Sequence, residues 1–146
     1  MQLSKYLKSE HFEYSDKAKK NAILNKMPTN LVASASIFGT EVYDKLVELF
    51  KPNKIIFHSG YRSKELNVLV KGQPTSQHMK ANALDFHVDS ITIQEAYDKI
   101  VASDIIFDQL VIEHDRYNNV WLHISYNTSK TSSDQRMHKI PYLLKK

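Results

Sequence analysis

The chain has 146 residues, of which 42% are apolar and 25% are charged, and this composition is typical of globular rather than disordered proteins. The length predicts a single domain over residues 1–146 with a proper core. The sequence contains no cysteine, which excludes disulfides, thiolate zinc sites and cysteine nucleophiles. Histidine, aspartate and glutamate are therefore the metal ligands that remain.

The formal charge is +4 and the pI is about 9.1, and this modest positive charge favours anionic partners such as nucleic acid or an acidic cell envelope. The basic residues are scattered, however, which favours a solvated surface over a nucleic-acid interface. No apolar run is long enough to span a bilayer, and the first residues lack the hydrophobic stretch of a signal peptide. We therefore expect no membrane partner and synthesis in the cytoplasm.

The first half of the chain is predicted to be mainly helical. Ser15 and Asp16 can cap a short helix that runs to about Asn25, before Pro28. Residues 29–50 carry apolar side chains at spacings of three and four, which predicts the longest amphipathic helix. A short strand over residues 54–58 and a short helix over residues 63–70 follow.

The second half is predicted to form strands around one further helix. A strand begins at Ala83, Thr92 and Glu95 form a capping box for a helix to about Ser103, and residues 107–113 and 120–126 form a hairpin. We expect a loop over residues 127–135 and a tail that packs through Ile140, Tyr142 and Leu143. The predicted fold class is α+β, with amino-terminal helices packed on a small, largely antiparallel sheet.

A candidate metal site begins with His78, which lies in a polar loop seven positions before Asp85. Strict alternation from Ala83 places Asp85 and His87 on the strand face opposite Leu84 and the other apolar residues. One histidine and one carboxylate hold zinc poorly, because catalytic zinc usually takes three protein ligands and keeps one position open. For His87, a supporting or solvent-exposed role is favoured over ligation, and His58 carries no signal that separates it from an ordinary histidine.

The hairpin suggests the third ligand. Alternation over residues 120–126 places Trp121 and His123 on one face, so Trp121 is expected to form a wall of the site. If the two strands pair across the polar link at residues 115–119, Glu113 falls near Trp121 and on the face of His123. His78, Asp85, His123 and Glu113 could then converge on one polar patch, which is a hypothesis about strand pairing.

A series of motifs in a fixed order adds a family resemblance to this argument. The motifs are Ser-Gly-Tyr-Arg-Ser at 59–63, Leu-Asn at 66–67, Ser-Gln-His at 76–78 with Asp85, Phe-Asp-Gln-Leu at 107–110 with Glu113, and Trp-Leu-His-Ile-Ser at 121–125. Together they resemble the zinc D-Ala-D-Ala carboxypeptidase family of peptidoglycan peptidases, which includes phage endolysins and the vancomycin-resistance dipeptidase. The family shares its fold with the hedgehog signalling domain, and this chain is most similar to small single-domain members from phages and prophages.

The resemblance implies a role for each matching residue. His78, Asp85 and His123 match the zinc ligands, and Arg62 matches a catalytic arginine that holds an anionic part of the substrate or the developing oxyanion. Ser76 matches a serine of the substrate pocket. Glu113 is the best match for the general base; in several relatives the acid lies closer to the last histidine, but residues 118–120 contain no acid. Another departure is Ala81, where relatives usually carry glycine.

Each of these roles has a plainer alternative. Glu113 could be a polar residue that ends a strand, and Arg62 could cap a turn or pair with a surface acid. From their spacing alone, the two histidines and Asp85 could equally be surface residues.

The expected function is zinc-dependent hydrolysis of a peptide bond in stem or cross-bridge peptides of peptidoglycan, with D,D- or L,D-specificity, by a monomer. A phage endolysin would reach the wall after phage lysis-type release or virion delivery. The alternatives are a non-catalytic zinc-binding domain and a virion-associated cell-wall-binding domain of the same fold. Nucleic-acid binding is the weakest alternative, because no basic stripe is present.

Overall fold

The computed structural model describes residues 1–130, 135 and 138–144, and of residues 138–144 only the backbone. Its helices are α1 Ser9–Glu13, α2 Asp16–Lys20, α3 Val32–Phe38, α4 Asp44–Phe50, α5 Lys64–Leu69 and α6 Ile93–Ala102. Its strands are β1 Ile55–Ser59, β2 Ala83–Val88, β3 Gln109–His114, β4 Val120–Ser125 and β5 His138–Leu144. None of the helices in these ranges has the length and apolar character needed to cross a bilayer.

The described strands form one sheet in the order β1-β2-β4-β3-β5. The pairs β1–β2, β2–β4 and β3–β4 are antiparallel, and β3–β5 is parallel. The prediction of an α+β fold with a largely antiparallel sheet is therefore confirmed. Strand β5 was not predicted, and the expected packing of Ile140, Tyr142 and Leu143 lies outside what the structure describes.

The long amphipathic helix predicted over residues 29–50 is confirmed, with one local irregularity. The segment begins with a 3₁₀ turn at Thr29–Leu31, continues as α3, passes through a π turn at Gly39–Tyr43 and ends as α4. At Gly39 an added Cβ would lie 2.6 Å from Oγ of Ser4, so glycine lets the first residues of the chain pack against the π turn. Oγ of Ser4 donates to the carboxylate of Asp44 at 2.7 Å and ties the two segments together.

Helix α2 ends at Lys20, so the prediction that it runs to about Asn25 was wrong. Its start is as expected, because Oγ of Ser15 accepts a hydrogen bond from the backbone N–H of Ala18. At the other end Ala22 is left-handed, with φ of 53°, and the N–H of Ile23 donates to the carbonyl of Ala18 at 2.9 Å. This is the Schellman arrangement, in which the left-handed residue is usually glycine. Because alanine stands at this position, nothing in the sequence signals that the helix ends here.

The apolar face of the sheet forms the core beneath the candidate site. Six apolar residues of β2, β3 and β4 on this face are each 2% exposed or less, namely Phe86, Val88, Leu110, Ile112, Leu122 and Ile124. Helix α6 packs against β2, β3 and β4, and α4 packs against β1. The other sheet face is thereby left to the polar residues at the alternate positions.

Gly60 sets the distance between α1 and the loop that follows β1. A Cβ on this residue would lie 2.3 Å from the carbonyl oxygen of Phe12, a backbone atom that already accepts from the N–H of Tyr61 at 2.7 Å. The replacement Gly60→Ala should therefore force the two segments apart and lower the free energy of unfolding by about 1–3 kcal/mol. Denaturant unfolding measures this change, with Ser59→Ala as the neighbouring control, and an unaltered Gly60→Ala protein would contradict the packing described.

Candidate metal centre

Three donor atoms from separate segments of the chain converge on the polar face of the sheet. Oδ1 of Asp85 lies 2.8 Å from Nδ1 of His123 and 3.3 Å from Nε2 of His78. One ligand atom from each of the three residues lies within 4.8 Å of the other two. Two imidazole nitrogens and a carboxylate oxygen are the ligands that zinc takes when cysteine is absent, and three ligands leave one coordination position open. The donor set therefore fits a catalytic divalent ion.

Strand register and one short turn bring the donors together. In the β2–β4 pair, Asp85 lies directly opposite His123. His78 comes from a 3₁₀ turn at Gln77–Lys80, whose start is capped by Oγ of Ser76 through the N–H of His78 at 3.3 Å. The turn ends at Ala81, which is left-handed with φ of 58°. Glycine adopts this conformation without the Cβ penalty, so alanine at this position carries a small conformational cost.

A backbone carbonyl determines which nitrogen of His78 faces the other donors. The carbonyl oxygen of Gly60 lies 2.7 Å from Nδ1 of His78 and can only accept, so Nδ1 carries the hydrogen. Nε2 of His78 is then directed at Oδ1 of Asp85, 3.3 Å away. Because both atoms carry lone pairs, they attract each other only if a proton or a cation lies between them. The hydrogen bond from Nδ1 of His78 to the carbonyl of Gly60 is of the kind that orients histidine ligands in many metal sites.

Asp85 is held in its ionised form. Burial alone would raise its pKa, but the charges and hydrogen bonds of His78 and His123 outweigh burial and lower the pKa below its usual value. A carboxylate must be deprotonated to bind a metal ion, and Asp85 meets this requirement.

Glu113 lies beside the donor set. Strands β3 and β4 pair Glu113 with Trp121, as the hairpin predicted. The indole N–H of Trp121 donates to Oε1 of Glu113 at 3.0 Å, and the same oxygen lies 3.9 Å from Nδ1 of His123. Glu113 is only 3% exposed. The buried carboxylate thus lies beside the three donors, and its role as general base stays a prediction.

Arg62 reaches the same region from the loop after β1. Its backbone N–H donates to the carbonyl of His78 at 3.1 Å, and its guanidinium donates to Oδ1 of Asn67 at 2.8 Å. Burial lowers the pKa of Arg62, while the charges of Asp85 and Glu113 act in the opposite direction. The guanidinium is therefore within electrostatic reach of both carboxylates.

Two residues that position the site were not identified as functional from the sequence. Asn67 is buried and holds Arg62, while its own amide donates to the carbonyl of Gln73 at 3.0 Å. Asp108 accepts from the side chain of Gln77, the neighbour of His78, at 3.1 Å. Both residues belong to the quoted motifs, but hydrogen bonds across loops leave no periodic signal in a sequence.

Two cavities flank the donor set. The larger, of about 750 Å³, is lined by residues that include Arg62, Ser76, His78, Glu113 and His123. The smaller, of about 620 Å³, has a partly apolar lining that includes Ile91, Ile93 and Val120. Asp85 and Trp121 line both cavities, so the two cavities meet at the candidate metal centre.

His87 does not join the donor set. Its Nδ1 lies 2.6 Å from Nε2 of His58, and both residues line the smaller cavity. Desolvation of its imidazole and the neighbouring His87 lower the pKa of His58, against the opposing charge of Asp85. The expectation that His87 would not be a ligand of this centre agrees with its position, whereas the contact with His58 was not anticipated.

Comparison with known proteins gives an independent view of the same residues. A family model described as Peptidase M15 matches residues 5–125, which include all of the proposed site residues and most of the chain. A search of curated proteins found no match. The extent of the family match is decisive, and the chain belongs to the peptidase M15 family.

Proposed function

We propose that this protein is a zinc-dependent metallopeptidase that hydrolyses a peptide bond in stem or cross-bridge peptides of peptidoglycan. The observation that carries the proposal is the convergence of His78, Asp85 and His123 within 4.8 Å of one another, with Glu113 3.9 Å from His123. A metal site with an adjacent acid is the arrangement that metal-assisted amide hydrolysis requires. Membership of the peptidase M15 family supports the reaction class.

The substrate and setting extend this proposal. We propose D,D- or L,D-specificity and the role of a phage endolysin, in which one domain over residues 1–146 acts as a monomer. The protein would be made in the cytoplasm and reach the wall after phage lysis-type release or virion delivery. The formal charge of +4 supports binding to an anionic wall.

Each residue of the site has a defined task in this reaction. When bound, zinc supplies a Lewis acid that lowers the pKa of a water to about 7 and polarises a carbonyl. Glu113 takes a proton from the attacking water and returns it to the leaving amine. The indole of Trp121 holds Glu113 in place for both transfers.

Arg62 provides a positive charge in the larger cavity, where the peptide binds in this proposal. Arg62 stabilises negative charge on the carbonyl oxygen or binds an anionic group of the peptide, and Asn67 holds its guanidinium in position. Ser76 caps the turn that carries His78 and lines the same cavity, where its hydroxyl can contact the peptide.

Removal of one ligand tests the metal centre. Purified wild-type protein should contain about one zinc ion per chain, as a three-ligand site predicts. The His123→Ala variant should lose this ion and release no new amino groups from purified cell walls, because two ligands hold zinc poorly. Elemental analysis and an amine assay measure both results, and His11→Ala, which alters an exposed histidine of α1, is the matched control. Unchanged amine release by His123→Ala would reject the mechanism.

Replacement of the acid separates a peptidase from a domain that only binds zinc or cell wall. Glutamine keeps an oxygen that can accept from Trp121, so Glu113→Gln should retain zinc and fold normally. Loss of the general base should lower the rate of amine release by roughly 10²–10⁴-fold. A wild-type protein that binds zinc and walls but releases no amine, with Glu113→Gln identical to it, would instead favour the non-catalytic or virion-associated alternative.

The contact between Asn67 and Arg62 predicts a change in substrate affinity. In Asn67→Ala the guanidinium of Arg62 loses its hydrogen-bond acceptor. KM for a muropeptide should then rise by roughly 10-fold, because a tenfold change in affinity corresponds to about one charge-assisted hydrogen bond. Arg62→Lys keeps the positive charge but loses the planar fork, and it should shift KM in the same direction. Thermal unfolding is measured in parallel, because the removal of a buried side chain also lowers stability. Unchanged KM in both variants would contradict a substrate-binding role for Arg62.

A further inference from the structure

A second pair of metal-binding side chains lies beside the candidate metal centre. His58 on β1 and His87 on β2 approach each other with Nε2 of His58 2.6 Å from Nδ1 of His87. This contact is a hydrogen bond between the two rings, so one of the facing nitrogens donates and the other accepts. Neither residue has a task in the proposed reaction.

Strand geometry explains why the two rings meet. Ile56 lies directly opposite His87 in the β1–β2 pair, so His58, two residues along β1, lies on the same face and diagonal to His87. Phe57 pairs with Phe86, and the next pair along the strands is Ser59 with Asp85. His58 therefore has no partner on β2 and is the extra residue of a bulge. Bulges bend a strand and re-aim its side chains, and here the bend brings His58 onto His87.

The chemistry of the pair points to a metal ion. A divalent ion can replace the proton that the two rings share, because a change of tautomer lets each neutral imidazole direct a lone pair at it. Imidazole suits the late transition metals zinc, copper and nickel. The rings are tilted by 36° with centroids 4.8 Å apart, so a nitrogen of each ring is directed into the same small volume. His58 is exposed and His87 is half-buried, which leaves the pair accessible from the cavity that both residues line.

We propose that His58 and His87 form a second binding site for a divalent transition-metal ion, separate from the centre formed by His78, Asp85 and His123. Within the residues that the structure describes, no further histidine, aspartate or glutamate joins this pair to make a set of three close donors. Two protein ligands bind more weakly than three, and water fills the remaining positions. The second ion should therefore bind less tightly than the first and exchange readily.

An ion bound to His58 and His87 would affect the candidate metal centre because the two sites share a cavity. The cavity of about 620 Å³ that His58 and His87 line is also lined by Asp85 and Trp121 of the candidate centre. An ion held by the pair would occupy substrate space on that side of the centre, so excess metal should inhibit amine release. This consequence rests on the proposed function, whereas binding of the second ion does not.

Equilibrium dialysis against a range of free Zn²⁺ concentrations tests the proposal in the full chain. Wild-type protein should bind one ion tightly and a second ion weakly. The weak step should be lost or weakened at least about 10-fold in His58→Asn, a loss of about 1.4 kcal/mol or more. The exposed His11 provides the control His11→Asn, which should keep both steps. A wild-type protein that saturates at one ion, or a second step that survives in His58→Asn, would overturn the inference.

A complementary variant separates this site from the candidate centre. His123→Ala should lose the tight step and keep the weak one. Addition of Cu²⁺ to His123→Ala should then give an electron paramagnetic resonance spectrum with coupling to two imidazole nitrogens, and His58→Asn in the same background should remove that coupling. Should the tight step be missing from wild-type protein while the weak step is present, the proposed function fails and the second site stands.

Discussion

The structure depends on the antiparallel pairing of β2 with β4, which places Asp85 opposite His123 across 38 residues of sequence. One carboxylate oxygen is shared by both histidines of the candidate centre. A register slip of one residue would turn either side chain toward the apolar face, because strand side chains alternate. The core residues Phe86 and Leu122, which pair in the same register, therefore hold the donors on the polar face.

The helical part of the chain supports the same site through hydrogen bonds. Asn25 lies in the segment that follows α2. Its side chain donates to the carbonyls of Glu13 and Tyr61 and accepts from the N–H of Ser63. These bonds fix the loop that carries Arg62 and whose Gly60 carbonyl orients His78. The segment that follows α2 thus helps to position both His78 and Arg62.

Local patterns in the sequence predicted much of this arrangement. Alternation placed Asp85 and His123 on polar strand faces, and the short link at residues 115–119 set Glu113 opposite Trp121. The pairing of β2 with β4 and the parallel addition of β5 are contacts between distant segments, and periodicity carries no information about them. The bond from His78 to a backbone carbonyl and the bulge at His58 depend on loop conformation, which side-chain patterns do not reveal.

The central claim is that His78, Asp85 and His123 share one metal ion. Crystals grown with one equivalent of zinc and measured at the zinc absorption edge test it most directly. The anomalous peak should lie about 2.0–2.2 Å from Nε2 of His78, Oδ1 of Asp85 and Nδ1 of His123, the usual bond lengths for these ligands. A peak bound by other side chains, or no peak at all, would contradict the account.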